Sequence, residues 1–180
     1  IEIILIDDGS KDKIILTSKL QNKIKLIRNE INRGLAYSLN KAIDLSNGKY
    51  ILRIDSDDFA LSHRTKYQVQ FLENNSEFDL VGSSLYIINE NNDLLGLRSI
   101  SKYDSLLKKN VWKEIPVPHP SWLMKTSWIK KHKYNNLLKR GQDQFLLIKF
   151  LRVGLLWFLL VTNVISQSLF LEDWFIFLFK

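Results

Sequence analysis

Residues 35–58 read LAYSLNKAIDLSNGKYILRIDSDD, and they carry a helix, a stop, a strand and an acidic cluster in that order. Leu35, Leu39, Ala42 and Ile43 fall at i, i+4, i+7 and i+8, the spacing that stripes one face of a helix. Gly48 is placed to cap the helix. Tyr50 to Ile54 then form a strand that runs straight into Asp55-Ser56-Asp57-Asp58. A helix followed by a buried strand with a polar end is the repeating unit of an α/β domain.

The same unit recurs on both sides. Upstream, Ile1 to Ile6 is an apolar run broken only by Glu2, which suits a strand buried on both faces of a parallel sheet. It ends in Asp7-Asp8-Gly9-Ser10, a turn sequence that offers helix N-caps. A helix over Lys11 to Leu20 and a strand over Ile24 to Ile27 are predicted next. Downstream, Ser62 can cap a helix reaching Asn74, with Tyr67 and Phe71 on one face. Leu80 to Ile88 and Leu94 to Ser99 read as strands joined by a polar turn. Ser101 to Asn110 reads as helical, and Pro116, Pro118 and Pro120 forbid regular structure around His119. A strand at Trp122 to Lys125 and a helix from Gln142 to Leu151 close the pattern. The alternation predicts an α/β fold: an open, mostly parallel sheet with helices on both faces.

Composition sets the outer limits. The 180 residues suit one domain, and 46% apolar content supplies a core. With no Cys, disulfides and thiolate metal sites are excluded. The net charge of +7 is uneven: Arg98 to Arg140 holds eleven Lys or Arg against Asp104 and Glu114. Such a segment suits an anionic membrane surface, a phosphorylated substrate or a solvated face, and no nucleic-acid-binding motif accompanies it. From Val153 to Phe179 the only charges are Glu172 and Asp173. The longest apolar run there, Leu155 to Val161, falls far short of the roughly 18 residues that span a bilayer.

Two acidic clusters fall at strand ends, where open α/β sheets gather their ligands. Three carboxylates within Asp55 to Asp58 repel one another, which a hard divalent cation with oxygen ligands would relieve. A solvated acidic turn is the alternative. Trp112, Trp122 and Trp128 suit either stacking on sugar faces or core packing.

These elements together resemble the family 2 glycosyltransferases of the GT-A fold. The resemblance rests on Ile4-Leu5-Ile6-Asp7-Asp8-Gly9-Ser10, on Asn32-Arg33-Gly34-Leu35-Ala36 with Asn40, and on Gly48-Lys49-Tyr50-Ile51 leading into Asp55-Ser56-Asp57-Asp58. It continues through Arg64, Gln68, Val81-Gly82-Ser83, His119-Pro120-Ser121 and Gly141-Gln142-Asp143-Gln144. The order and spacing cover about residues 1 to 150, a glycosyltransferase domain taken as 1–152 with an apolar tail at 153–180.

The resemblance implies inverting transfer of a sugar from a nucleotide-diphosphate donor, a UDP-sugar, to a saccharide or lipid-linked acceptor in bacterial surface polysaccharide synthesis. It also implies Mn²⁺ or Mg²⁺, held by Asp57 and Asp55, with Asp58 as a further candidate. Asp7, Asp8, Arg33, Asp55 and Asp57 would bind the donor, Asp55 through the ribose or the metal. Asp143 would be the general base, and His119 and Gln142 would line the acceptor side. The family usually has Glu where this chain has Gln142, and Phe145 stands where a further acid is common.

It implies, too, a strand and helix ahead of Ile1. Without them the Ile1 to Ile6 strand would lack a neighbour, so the chain alone is expected not to be a competent enzyme. The expected setting is the cytoplasm, at the inner face of the membrane, with peripheral membrane contact and no nucleic-acid partner. Two other readings stay open: an inactive fragment of such an enzyme, and a sugar-phosphate nucleotidyltransferase, whose Gly-rich loop is not visible.

Overall fold

The computed structural model describes residues 1–100, 117–151, 164–167 and 174–179. Its main sheet has six strands in the order β2-β1-β10-β3-β8-β5. They are β1 (Glu2–Asp7), β2 (Ile24–Arg28), β3 (Tyr50–Asp55), β5 (Leu80–Val81), β8 (Leu123–Lys125) and β10 (Trp174–Phe179). Strands β1 and β2 pair in parallel, while β10 is antiparallel to both β1 and β3, and β8 to both β3 and β5. Hence β2, β1, β3 and β5 share one direction, and β10 and β8 run against them. A second sheet joins β4 (Asp58–Ala60), β9 (Val164–Gln167), β6 (Leu85–Ile88) and β7 (Leu94–Arg98) in that order.

Alternation along β3 divides the core. Ile51 faces one side with Ile4 and Ile6 of β1, against helix α2 (Leu35–Leu45) and the later helices α4 (Thr126–His132) and α5 (Gln142–Leu151). Tyr50, Leu52 and Ile54 face the other side, against Leu72 of α3 (Arg64–Asn74), Val81 and Leu123. Period-two alternation in a strand buried on both faces requires this split. The expected helices on both faces are therefore present.

The turn at 118–121 is tied to the sheet by α3. Arg64 is fully buried, and its Nη2 donates to the carbonyls of Arg53 (3.1 Å) and Pro120 (2.9 Å). Its Nε donates to Gln68 Oε1 (3.1 Å), and Gln68 Nε2 in turn donates to the Ser121 carbonyl (2.8 Å). Burial pushes the Arg64 guanidinium down to about 9, still protonated at neutral pH, with the Asp58 charge favouring the cation.

Several local expectations change. The predicted helix at 11–20 shrinks to α1 (Ser18–Gln21), because the Asp7–Ser10 turn continues into an irregular segment. Helix α2 stops at Ser46, whose Oγ donates back to the Ile43 carbonyl at 2.7 Å, so Gly48 is not its cap. His63 rather than Ser62 is the N-cap of α3. The run at 80–88 splits into β5 and β6, which join different sheets. Around His119 a single 3-10 turn (His119–Ser121) forms between the prolines. Trp122 and Trp128 are buried in the core rather than open to a sugar; Trp112 and the helix predicted at 101–110 lie outside the described residues. Strand β1 has a neighbour on each side, β2 and β10, so the expected uncovered flank is filled by residues 174–179. Among the described residues no helix is long and apolar enough to cross a membrane.

Substituting Arg64→Met should leave two buried carbonyls and Gln68 without their charged donor. Chemical denaturation should show a loss of about 3 kcal/mol, and the Tm should fall by roughly 6–12 °C.

Candidate active site

The parallel strands β1 and β3 end at one edge of the sheet. Asp7 pairs with Trp174 and Asp55 with Phe175 across β10, so the two residues end their strands at one edge, one residue out of register and two strand spacings (about 10 Å) apart, with side chains leaving the sheet on opposite faces. Asp57 follows two residues beyond Asp55. The acidic strand ends thus share the edge where such sheets bind ligands.

Around β1 the side chains organise a loop. Asp7 is buried and accepts from Ser10 N (2.9 Å), Ser10 Oγ (2.7 Å) and the Arg28 guanidinium. Asp8, expected to contact the donor, has both oxygens engaged by the chain. Oδ1 accepts from Asn29 Nδ2 (2.6 Å) and Arg33 N (3.0 Å), and Oδ2 accepts from Gly34 N (2.8 Å). That anchors residues 29–34 just before α2, where a carboxylate also suits the positive helix end. Gly9 makes the approach possible: its φ is +83°, and a Cβ there would lie 2.6 Å from Asn32 N. Arg33 is exposed with its guanidinium 4.8 Å from the Tyr37 ring centre. Arg28, Arg33, Tyr37 and Lys41 line a cleft of about 370 Å³ beside this loop.

At the end of β3 the groups are electrostatically crowded. Asp55 Oδ1 accepts from Arg53 Nη2, and Arg53 is buried on the same strand face. Partial burial raises the Asp57 carboxyl above the usual range, and the Asp55 charge adds to this against its own backbone hydrogen bond and Arg53. Asp55 Oδ2 takes no part in the Arg53 contact. This donor set fits a hard divalent cation, whose charge would relieve the Asp55–Asp57 repulsion. Among the described residues no group of three or more metal-binding side chains gathers, so such an ion would take its remaining oxygens from substrate.

The acceptor-side candidates cluster on the face that Ile51 and Arg53 share. Asp143 lies buried in the first turn of α5, next to buried Gln142. Its Oδ2 is 3.8 Å from His119 Nδ1, too far for a hydrogen bond. His119 Nε2 shares a 2.8 Å hydrogen bond with the Tyr134 hydroxyl, and the ring stacks edge-on against Trp122. Burial holds His119 well below its usual titration range, helped by the Arg53 charge, so the ring is neutral at pH 7. Burial likewise raises the Tyr134 phenol. Asn40 of α2 fixes Tyr134, with Nδ2 donating to its carbonyl and Oδ1 accepting from its N–H, both at 2.9 Å.

Sequence reasoning passed over Arg53 and Tyr134. Arg53 had a signal: it is the one charged residue in the otherwise apolar run Tyr50 to Ile54, two positions from Asp55 and hence on the same face. Tyr134 had none, because its place depends on a contact with Asn40, 94 residues away in sequence.

Comparison with known proteins shows the family. The family model for glycosyl transferase family 2 matches residues 1–133. An uncharacterised glycosyltransferase of Methanocaldococcus jannaschii is 38% identical over 145 residues, 78% of this chain and 50% of that protein. EpsE of Bacillus subtilis, which carries a glycosyltransferase name, is 30% identical over 162 residues, 85% of this chain and 57% of EpsE. The chain therefore spans about half the length of these curated relatives. The crystal structure of Staphylococcus aureus TarS residues 1–349 superposes with a TM-score of 0.55 at 20% identity, covering 97% of this chain and 50% of that one, which supports the GT-A-like fold. With residues 1–133 matched and the acidic strand ends on one sheet edge, the chain belongs to glycosyl transferase family 2.

Proposed function

We propose that this chain carries the donor-binding and base-bearing portion of an inverting glycosyltransferase that moves a sugar from a UDP-linked donor to a saccharide or lipid-linked acceptor. The observation that carries the reading is the common sheet edge of Asp7 and Asp55, with Asp143 buried on the Arg53 face of the same sheet. Asp7 and Arg33 are suited to the base and phosphates, Asp55 to the ribose or the ion. Asp8 contributes by holding the Arg33–Gly34 backbone in place.

Asp57, with the open oxygen of Asp55, would hold Mg²⁺ or Mn²⁺, which as a Lewis acid neutralises charge on a diphosphate. Asp143 accepts the proton of the acceptor hydroxyl while that oxygen bonds to the anomeric carbon. The bond from that carbon to the phosphoryl oxygen breaks, and its electron pair leaves with the nucleoside diphosphate. One displacement on the face opposite the leaving group inverts the anomeric centre. His119, neutral and bonded to Tyr134, takes no proton at pH 7; it packs beside Asp143 and lines the acceptor side with Gln142. The basic residues between Arg98 and Arg140 suit contact with an anionic lipid surface at the inner face of the membrane, in the setting of surface polysaccharide synthesis.

Calorimetric titration with UDP and Mn²⁺ tests the donor reading: metal-dependent binding supports it, and absence of binding to folded protein overturns it. Asp57→Asn should lower transfer by roughly 10²–10³ while the Tm holds or rises, because a partly buried anion is removed. A variant of full activity would remove the metal role. Asp143→Asn should lower kcat by roughly 10²–10⁴ with donor affinity unchanged. If donor affinity collapsed while saturated turnover survived, Asp143 would be a binding residue.

The depressed His119 predicts a pH dependence. Below pH 6.5 the unfolded chain binds a proton that the folded chain refuses, so stability falls as pH falls through that value. The slope from this residue reaches about 1.4 kcal/mol per pH unit, and denaturation of His119→Gln between pH 5 and 7 should lack it.

A further inference from the structure

Arg53 carries more hydrogen-bond donors than its surroundings use. The side chain is 3% exposed, and only Nη2 finds a carboxylate, that of Asp55. Nε and Nη1 are buried and meet no acceptor among the described residues. A buried guanidinium with two idle nitrogens is unfavourable, since donors taken out of water lose hydrogen bonds that nothing replaces. Its own strand does not explain it: every other residue from Tyr50 to Ile54 is a buried hydrophobe.

Position gives the reason. Arg53 shares its strand face with Ile51 and Asp55, the face on which α5 packs. Its charge is felt at His119 and at Tyr134, the two groups beside Asp143. The cation adjoins both the Asp55 carboxylate that it bonds and, through its backbone N–H to the Trp122 carbonyl at 2.9 Å, the turn that bears His119, and the donor reading above puts the reacting bond in that interval. A ligand that carries several anionic oxygens and reaches this interval from the Asp55–Asp57 side would supply the missing acceptors.

We propose that Arg53 binds a phosphoryl oxygen of the donor's diphosphate through Nε–H and Nη1–H, with Asp55 holding the guanidinium in place. This rests on the nucleotide-sugar reading above. A fixed, desolvated cation at the oxygen that receives the electron pair of the breaking bond needs no reorganisation as charge grows there. The pairing with Asp55 has a further effect: one Asp55 oxygen is committed to Arg53, which leaves Asp57 the principal carboxylate for a metal ion.

The test separates phosphate recognition from fold maintenance. Wild type, Arg53→Gln and Arg53→Lys are titrated calorimetrically with UDP, inorganic pyrophosphate and uridine in the presence of Mn²⁺. Arg53→Gln should weaken UDP and pyrophosphate binding by roughly 10–100-fold and leave uridine unchanged. Arg53→Lys should fall between, because it keeps the charge and loses the planar set of donors. Equal UDP affinity in Arg53→Gln and wild type would overturn the proposal while leaving the donor reading intact. So would equal losses for UDP and uridine, which would mark Arg53 as a structural residue. If Arg53→Gln does not fold, the UDP-to-uridine ratio in Arg53→Lys decides, and an unchanged ratio overturns the proposal. A folded wild type that binds neither UDP nor pyrophosphate would overturn both this proposal and the donor reading.

Discussion

A guanidinium shut away from water joins three segments that are separate in the sequence. Arg64, at the start of α3, bonds the carbonyl of Arg53 in β3 and that of Pro120 in the turn bearing His119. One donor nitrogen thus fixes the strand that presents Asp55 and the turn that packs beside Asp143. Gln68, one helical turn later, repeats the grip through the Ser121 carbonyl. Burying a charge this deeply is tolerable only while its hydrogen-bond partners stay in place, which makes the registry of these segments close to all-or-none. The site's geometry inherits that stiffness.

The other constraint is the division of β3 into two faces. Even-numbered residues fill the core under α3, and Ile51 fills the core under α2 and α5. Arg53 and Asp55 continue the Ile51 row, so the row passes from apolar to ionic as it reaches the sheet edge. The fold provides this polarity gradient for the length of one strand. It lets a well-packed domain hold several unscreened charges within reach of one another.

Much of this was legible in the residues. Period-two and period-3.6 patterns located β1, β3, α2 and α5, which bury apolar rows; β2 and α3 were also located, although β2 is only partly buried and α3 buries Arg64 and Gln68 beside Leu72. Asp7, Asp55, Asp57 and Asp143 were legible as strand-end or helix-start carboxylates, positions where local sequence states the geometry. The rest depends on distant contacts. Nothing near Asp8 announces that its oxygens bond Arg33 N and Gly34 N, 25 and 26 residues away. The helix predicted at 11–20 failed because its apolar residues have no sheet face to cover: Ile15 is almost fully exposed. The sheet partners of residues 174–179 were beyond reach because an apolar stretch names no neighbour by itself.

The order of strands across the sheet also governs how the chain can be assembled. Strand β8 lies between β3 and β5, both of which precede it in sequence, and β10 lies between β1 and β3. The sheet therefore cannot grow outward from an edge as the chain emerges from the ribosome. Early strands must leave gaps that later ones enter, and Glu2 finds its partner only when Phe179 has been made. Through that interval β1, β3 and β5 present unpaired backbone on flanks that end up interior, the condition under which partly made chains associate with one another. Pairings this remote in sequence also close slowly. A domain stiff once assembled is thus most exposed to misassembly in the seconds before β10 is inserted.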